Sequence, residues 1–321
     1  MTQLSSMDLY YLVEEFQFLV SGKVNQIYQK EKEELLIDFH VTSKGKQMLK
    51  ITLPSMIYLT QYKSEQPQTP PGFCTFLRRR LKNARLQKIQ QIEFERILRL
   101  DFSTKDQTYI MFIELFANGN IILCDESLKI ISPLQTGNWK DRTIRGGIQY
   151  EYPKRIDSLN ISKEETENIL KNSKKESIVK SLAIELGFGG NYSEKICELA
   201  KVDKESKDIK GIYEAIQKLK TTKPKHDFTS FNEFLDETLT KDKIKSIETE
   251  QVSKKEKAVN KVQKVIDQQT AKIKEFETNI EKNQKIGEYI YHNYQKIKEI
   301  LEDPEKHGKI NKKDKIVEVE I

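Results

Sequence analysis

The chain has few cysteines: Cys74, Cys124 and Cys197 in 321 residues, with no Cys-x-x-Cys spacing among them. That scatter argues against a cysteine zinc site and a disulfide scaffold, and it suits a reducing cytosol. No apolar run approaches the roughly 20 residues of a membrane span. The first residues, MTQLSSMDLYY, lack the layout of a signal peptide. The expectation is therefore a cytoplasmic, soluble protein without a membrane partner. Hydrophobic residues make up 37% and charged residues 32%, enough for one good core but not for the whole length. The charge excess comes late, where lysine and glutamate dominate. The length allows two or three domains, and the net charge of +6 favours a nucleic-acid or other anionic partner without demanding one.

The most distinctive stretch runs from Pro70 to Asp101, PPGFCTFLRRRLKNARLQKIQQIEFERILRLD. It carries Arg78, Arg79, Arg80, Lys82, Arg85, Lys88, Arg96 and Arg99, opposed before Asp101 only by Glu93 and Glu95. Pro70-Pro71 can precede a helix but not sit inside one. Phe73, Phe76, Leu77 and Leu81 then fall on one helical face, and Asn83 ends it. The second half alternates through Leu86, Ile89, Ile92, Phe94, Ile97 and Leu100 and reads as one strand with an irregularity, carrying Glu95-Arg96. A basic helix feeding such a strand can present cations to phosphate; a plain solvated face reads the same way.

Elsewhere the pattern is antiparallel. Ser5 or Ser6 can cap a first helix with Leu9, Leu12, Val13 and Phe16 on its apolar stripe, ended by Gly22. Asp8 lies in its first turn, where a carboxylate suits the helix dipole, and that structural role alone accounts for it. Lys23–Gln29, Glu34–Val41 and Gln47–Leu53 read as strands. Tyr109–Phe116 and Asn120–Cys124 flank Ala117-Asn118-Gly119, a strong hairpin signal, and a short strand follows near Leu128–Ile131. Lys140, Arg142 and Arg145 form a second basic cluster, in what also reads as a surface loop. From residue 156 to 228 the chain looks helical. Ser162 can cap one helix, Ser177–Leu186 makes another, and Gly187-Phe188-Gly189-Gly190 leads to a third from about Ser193. Helix, glycine hairpin, helix can hold a phosphate on free N–H groups, although plain bundles share that layout.

A linker, Thr221–Asp227, precedes a long helix from about Ser230. Val252, Val259, Ile266, Ile273, Ile280, Gly287, Tyr294 and Leu301 recur every seventh residue, with Val262, Gln269, Phe276, Asn283, Ile290 and Ile297 at the intervening d positions. Asp303-Pro304 stops it. The terminal KIVEVEI reads as a strand without a partner. A lone helix with an apolar seam has nothing to bury it against, so self-association through that seam, or poor order from about Ile244 to Leu301, is expected.

Together these pieces resemble the NFACT family, which includes the bacterial ribosome quality control H protein, its archaeal homologues and the eukaryotic nuclear export mediator factor. The matching motifs are MDLYYLVEEF, GKVNQIYQ, PPGFCTFLRRRL, the FERI run, ELFANGNIILCD, D-R-x-x-R-x-G-x-x-Y from Asp141 to Tyr150, and LAIELGFGGNYSEKIC. The resemblance implies an α+β chain. An antiparallel-sheet domain similar to the N-terminal domain of formamidopyrimidine-DNA glycosylases spans 1–155. A helix-hairpin-helix domain spans 156–228, the first helix of a coiled-coil arm 229–303, and the start of a middle domain 304–321. The family goes on through a returning arm helix and a further RNA-binding domain. Their lack here implies a shortened protein or one part of a split gene.

The implied function is binding a large ribosomal subunit that still holds peptidyl-tRNA, and recruiting charged tRNA, alanyl-tRNA in bacteria, so that the stalled chain gains a C-terminal tail without mRNA. The ribosome performs the peptide transfer, and no cofactor or metal is implied. Asp8 and Arg96 match the family's functional aspartate and arginine, while Glu95 stands where the family has aspartate. Arg78, Arg79, Arg80, Lys82, Arg85, Arg142, Arg145, Gly187, Gly189 and Gly190 are the expected phosphate contacts. Two other classes compete with this one. Base excision needs an N-terminal proline amine and a four-cysteine finger; the chain has Thr2-Gln3 and neither feature, so that enzyme reading is rejected. A fibronectin-binding surface role, suggested because some bacterial members resemble reported fibronectin-binding proteins, conflicts with the lack of a signal peptide. RNA binding without tailing is the nearer alternative.

Overall fold

The computed structural model describes residues 3–63, 66–139, 142–153, 156–222, 228–311 and 316–319, without the side chains of 241–258, 309–311 and 317. They form two compact units, Met1–Asp242 and Lys243–Ile321. The first is mixed α+β, a large antiparallel sheet followed by helices.

Helix α1 (Ser6–Phe16) starts at Ser5, which makes a reciprocal capping box with Asp8. Its buried stripe is Leu9, Leu12, Val13 and Phe16. Strands β1 (Lys23–Gln29), β2 (Glu34–Val41), β3 (Gly45–Thr52) and β4 (Met56–Thr60) form a meander. The basic helix α2 (Gly72–Leu81) then returns the chain to β1, so that β5 (Arg85–Gln91) lies beside β1. A second meander follows through β6 (Ile97–Ser103), β7 (Thr108–Glu114), β8 (Asn120–Asp125) and β9 (Ile130–Pro133). Among the described residues the sheet has nine strands, ordered β4-β3-β2-β1-β5-β6-β7-β8-β9.

The single strand expected across Leu86–Leu100 is two strands. β5 and β6 pair antiparallel around a turn in which Glu93 takes a left-handed φ of 49°. Glu95 and Arg96 therefore sit in that turn, not on a strand. Phe94 kept the apolar alternation running through the turn because it too is buried, against Phe188 at 4.9 Å between ring centroids. The Ala117-Asn118-Gly119 turn joins β7 to β8. There Gly119 has φ +71°, and a Cβ would stand 2.8 Å from Leu53 Cβ, so both conformation and space require glycine.

Both faces of the sheet are covered. Tyr109, Met111 and Ile113 of β7 share one core with Leu12 and Phe16 of α1 and Leu77 and Leu81 of α2. Ile110 and Phe112 point the other way, toward Ile144 and Tyr150. Ile144 belongs to a small hairpin, β10 (Gly137–Trp139) with β11 (Arg142–Ile144). Lys140 and Asp141, named above in the basic cluster and the D-R motif, lie outside the described residues.

Helices α3 (Lys163–Asn172), α4 (Ile178–Ile184), α5 (Gly189–Ala200) and α6 (Ile212–Thr221) share the helix-side core. Gly187 and Gly189, with φ of 71° and 70°, make the turn from α4 to α5. α5 begins at Gly189, four residues before the expected Ser193, and Ser193 Oγ, one turn into the helix, donates back to the Gly189 carbonyl at 2.6 Å. Helix α7 (Phe231–His292) is fixed at its root. The Glu15 carboxylate accepts from the Phe231 and Asn232 amides, each at 2.9 Å, and the Asn232 side chain pairs with the N–H and C=O of Leu59 at 2.6 and 3.1 Å.

In the second unit α7 breaks at Asn293 before α8 (Tyr294–Glu302) and α9 (Pro304–His307). The seam positions Val259, Ile266, Ile273, Phe276 and Ile280 are exposed on a continuous helix. The terminal strand does have a partner: β13 (Ile316–Glu318) pairs antiparallel with β12 (Lys309–Asn311). The three residues of β12 are too short and too polar to announce a strand. Among the described residues no helix is long and apolar enough to cross a membrane.

Candidate nucleic-acid interface

Three clefts adjoin one another on the first unit. The first, of about 570 Å³, is lined by Asp8, Gly189, Gly190, Asn191, Tyr192 and Lys195. The second, of about 440 Å³, is lined by Glu95, Arg96, Gly187 and Gly189, and shares Gln3, Ser5 and Gly189 with the first. The third, of about 290 Å³, is lined by Glu114, Asn118, Gln135, Trp139 and Arg142, and shares Phe116 with the second.

Local contacts hold the run of clefts together. Gln91 Nε2 donates to the Ser6 carbonyl at the start of α1 and to the Glu95 carbonyl in the β5–β6 turn, both at 2.8 Å. Phe94 in that turn packs on Phe188 of the glycine hairpin. The start of α1, the Glu95-Arg96 turn and the Gly187–Gly190 hairpin are thus one assembly. The N-terminus of α5 has no side-chain cap, so its first amides remain available to an anion.

Asp8 is 3% exposed and fully engaged. One oxygen accepts from Ser5 N and Oγ at 2.8 and 2.7 Å, and the other accepts from Tyr192 Oη at 2.7 Å. It therefore locks α5 onto α1, a larger structural role than the dipole argument foresaw. Burial, and then the facing Asp8 carboxylate, push the Tyr192 phenol well above the ordinary tyrosine range. The folded value is the higher one. The stabilisation is therefore whole below about pH 10 and is lost as pH rises from there toward the folded value. Tyr192→Phe should cost about 1.5–3 kcal/mol at neutral pH, because it leaves a buried carboxylate oxygen without its donor. Denaturant melts should show that loss, and above about pH 10 the variant's stability should fall less steeply than that of the unaltered chain.

The third cleft is built on a buried triad. Glu114 accepts from Arg142 Nη2 at 2.6 Å and from Tyr150 Oη at 2.7 Å. Burial acts to lower the Arg142 pKa, but the bond and charge of Glu114 outweigh it and the guanidinium stays charged. Burial and Glu114 push the Tyr150 phenol up.

The other basic residues lie apart from the clefts. Arg78 Nε donates to the Ile27 carbonyl at 2.6 Å, Arg80 Nη1 reaches Tyr109 Oη at 3.5 Å, and Arg85 Nη1 donates to the Ser21 carbonyl at 2.8 Å. Arg79, Lys82 and Arg145 are exposed. The α2 group of Arg78, Arg79, Arg80 and Lys82, with Arg85, has no acidic partner within 4 Å among the described residues.

The family model describing NFACT N-terminal and middle domains matches residues 5–267. The chain belongs to the NFACT family. It is 30% identical over 345 residues to the archaeal Rqc2 homolog aRqcH of Methanocaldococcus jannaschii, covering 94% of this chain and 51% of that protein. This NFACT chain therefore spans about half the length of that relative. The Drosophila melanogaster ribosome quality control complex subunit NEMF homolog is 31% identical over 153 residues, 47% of this chain and 15% of that protein. Among solved structures, the N-terminal part of the fibronectin/fibrinogen-binding protein from Streptococcus suis superposes with a TM-score of 0.60 at 20% identity, covering 71% of this chain and 89% of that one. That likeness establishes the NFACT fold alone.

The clefts bring together Asp8, Glu95, Arg96, Arg142, Gly187, Gly189 and Gly190 from the sequence expectations, and leave out Arg145 and the α2 group with Arg85. Tyr192, Glu114 and Trp139 were not foreseen. Glu114 ends a strand of apolar residues and opens the ELFANGNIILCD motif, and a carboxylate at that place was the available signal.

Proposed function

We propose that this protein acts in ribosome-associated quality control. It binds a large ribosomal subunit obstructed by peptidyl-tRNA and recruits charged tRNA, alanyl-tRNA as in the family's bacterial members, for mRNA-independent C-terminal tailing of the stalled chain. The observation that carries this reading is the continuous run of clefts joining Asp8, the Glu95-Arg96 turn and the Gly187–Gly190 hairpin. It places a guanidinium beside uncapped helix amides, a combination suited to an RNA backbone and its bases. The identity to the archaeal Rqc2 homolog along 94% of the chain supports the same reading. In it the chain is not an enzyme: it supplies binding and orientation, and the ribosome makes the peptide bond. The site of action is the cytoplasm.

RNA binding without tailing is the second reading. It is favoured by Glu95, which reaches one methylene further than the aspartate the family has there. Sedimentation of the protein with split large subunits carrying peptidyl-tRNA, followed by a tail-addition reaction with charged alanyl-tRNA, separates the two. Co-sedimentation without tail growth supports the second, and failure to co-sediment removes the first.

The α2 group with Arg85 extends the footprint as phosphate contacts. Five such contacts imply that affinity for tRNA falls by roughly a hundred- to five-hundredfold between about 50 and 200 mM salt. A titration series that stays flat over that range would remove these residues from the interface. The exposed seam of α7 closes, in this reading, on a second helix of the same kind, and sedimentation equilibrium of the isolated protein measures whether that helix comes from another copy.

A further inference from the structure

We propose that the cleft behind Trp139 is a pocket for one unpaired RNA base, stacked on the indole. The inference rests on the RNA-binding reading above and adds a site that the reading does not need. Trp139 is 52% exposed although it is the largest apolar side chain of its hairpin. An indole kept only for packing buries its face; this one keeps half its surface open over a cleft of about 290 Å³, room for a single base.

The indole is held in place from beneath. It lies across Gly137, where any Cβ would collide with the ring. Arg142, its cross-strand partner, has its guanidinium carbon 6.0 Å from the indole centroid and 5.6 Å from that of Phe116. A flat, rigid platform of this kind is what base stacking requires.

The lining decides between base and phosphate. Its charged residues are Glu114 and Arg142, and they neutralise each other at 2.6 Å. Among the described residues that pair leaves the lining with no net positive charge to draw a phosphate, and the buried Arg142 Nη1 keeps a donor without a partner. An uncharged aromatic group finds the indole face and the side-chain amides of Asn118 and Gln135. Neither amide is hydrogen-bonded among the described residues, so both offer a donor and an acceptor to a base edge. The adjoining cleft, across the shared wall of Phe116, is lined by Arg96 together with Glu95 and by the backbone of Gly187 and Gly189. A strand whose backbone passes Arg96 can turn one base over Phe116 onto Trp139.

Trp139 is the chain's single tryptophan, so the protein's tryptophan emission reports this site alone. The test titrates the unaltered protein with a short single-stranded RNA and with an abasic ribose-phosphate oligomer of the same length. Binding is followed independently by anisotropy of an end-labelled strand. Emission should be quenched along the RNA binding curve, and much less by the abasic oligomer at equal occupancy. Trp139→Ala should weaken RNA binding roughly ten- to a hundredfold, and Trp139→Phe less, with melting temperatures unchanged. RNA that binds without altering the emission, or equal quenching by the abasic oligomer, overturns the base pocket and leaves RNA binding standing. Emission quenched only by an apolar peptide would assign the cleft to a protein partner. Absence of any RNA binding at low salt removes both readings. Should Trp139→Ala fail to fold, the titration of the unaltered protein still decides.

Discussion

Replacing Glu114 with alanine is expected to lower stability by about 3–5 kcal/mol, the usual effect of removing one partner of a buried ion pair. Glu114 is 3% exposed, and the side chains of the ion pair are 16% exposed for Arg142 and 4% for Glu114. Alanine would strand a half-buried guanidinium and the Tyr150 phenol together. The loss cannot relax locally, because Tyr150 is stacked on Phe112 at 4.1 Å and edge-on to Tyr152 at 5.6 Å. The melting temperature should drop by roughly 10 °C or more. Arg142→Met combined with Glu114→Leu and Tyr150→Phe should recover most of the loss, since the charge, its counter-charge and the phenol that Glu114 accepts from leave together. A single Glu114→Ala chain that melts within about 1 kcal/mol of the original would mean that water reaches Arg142 and that the triad holds little of the sheet's second face.

Local chemistry was legible where it was complete within a few residues. Ser5 with Asp8, and Ser162 with Glu165, are capping boxes three residues apart, and both form. Ala117-Asn118-Gly119 announced its hairpin because the backbone there needs positive φ at Ala117 and Gly119. The β5–β6 turn was hidden for the opposite reason. Glu93 adopts a left-handed conformation without being glycine or asparagine, and Phe94 stays buried by packing on a helix hairpin far along the chain. The strand β7, TYIMFIE, looked like other half-buried strands, yet it is apolar almost throughout because α1 and α2 cover one face and β11 with Tyr150 the other.

The candidate site was legible as types but not as connections. Asp8 could be placed on a helix start from its neighbours, but its second partner, Tyr192, lies 184 residues away. Glu15 could not be distinguished from any solvated helix carboxylate, though it caps α7 from 216 residues off. Long-range pairs of this kind leave no spacing to read in one sequence. The family resemblance supplied Asp8 and Arg96 as functional positions; they line adjoining clefts joined through Gln91, Ser5 and Gly189.

Arg96→Ala is the functional change with the largest expected effect: loss of tRNA selection and tailing, with large-subunit binding and thermal stability nearly intact. The guanidinium can offer a planar fork of donors to RNA, and each charge-assisted hydrogen bond removed is worth about 1.5–3 kcal/mol. Two such bonds lost weaken tRNA binding by more than a hundredfold. The fold should tolerate the change because the turn's backbone is held by bonds that an alanine keeps. Ile92 N donates to the Ile97 carbonyl at 2.9 Å, Leu115 N to the Arg96 carbonyl at 2.8 Å, and Gln91 Nε2 to the Glu95 carbonyl at 2.8 Å. Arg96→Lys keeps the charge and loses the fork, so it should retain the salt dependence of binding but little of the selectivity. Glu95→Asp restores the family's carboxylate reach and should raise tailing if the longer side chain is what limits it. A melting temperature that falls in parallel with tRNA affinity across these three variants would instead make Glu95 and Arg96 structural, and would move the recognition of tRNA to the glycine hairpin and the Trp139 cleft.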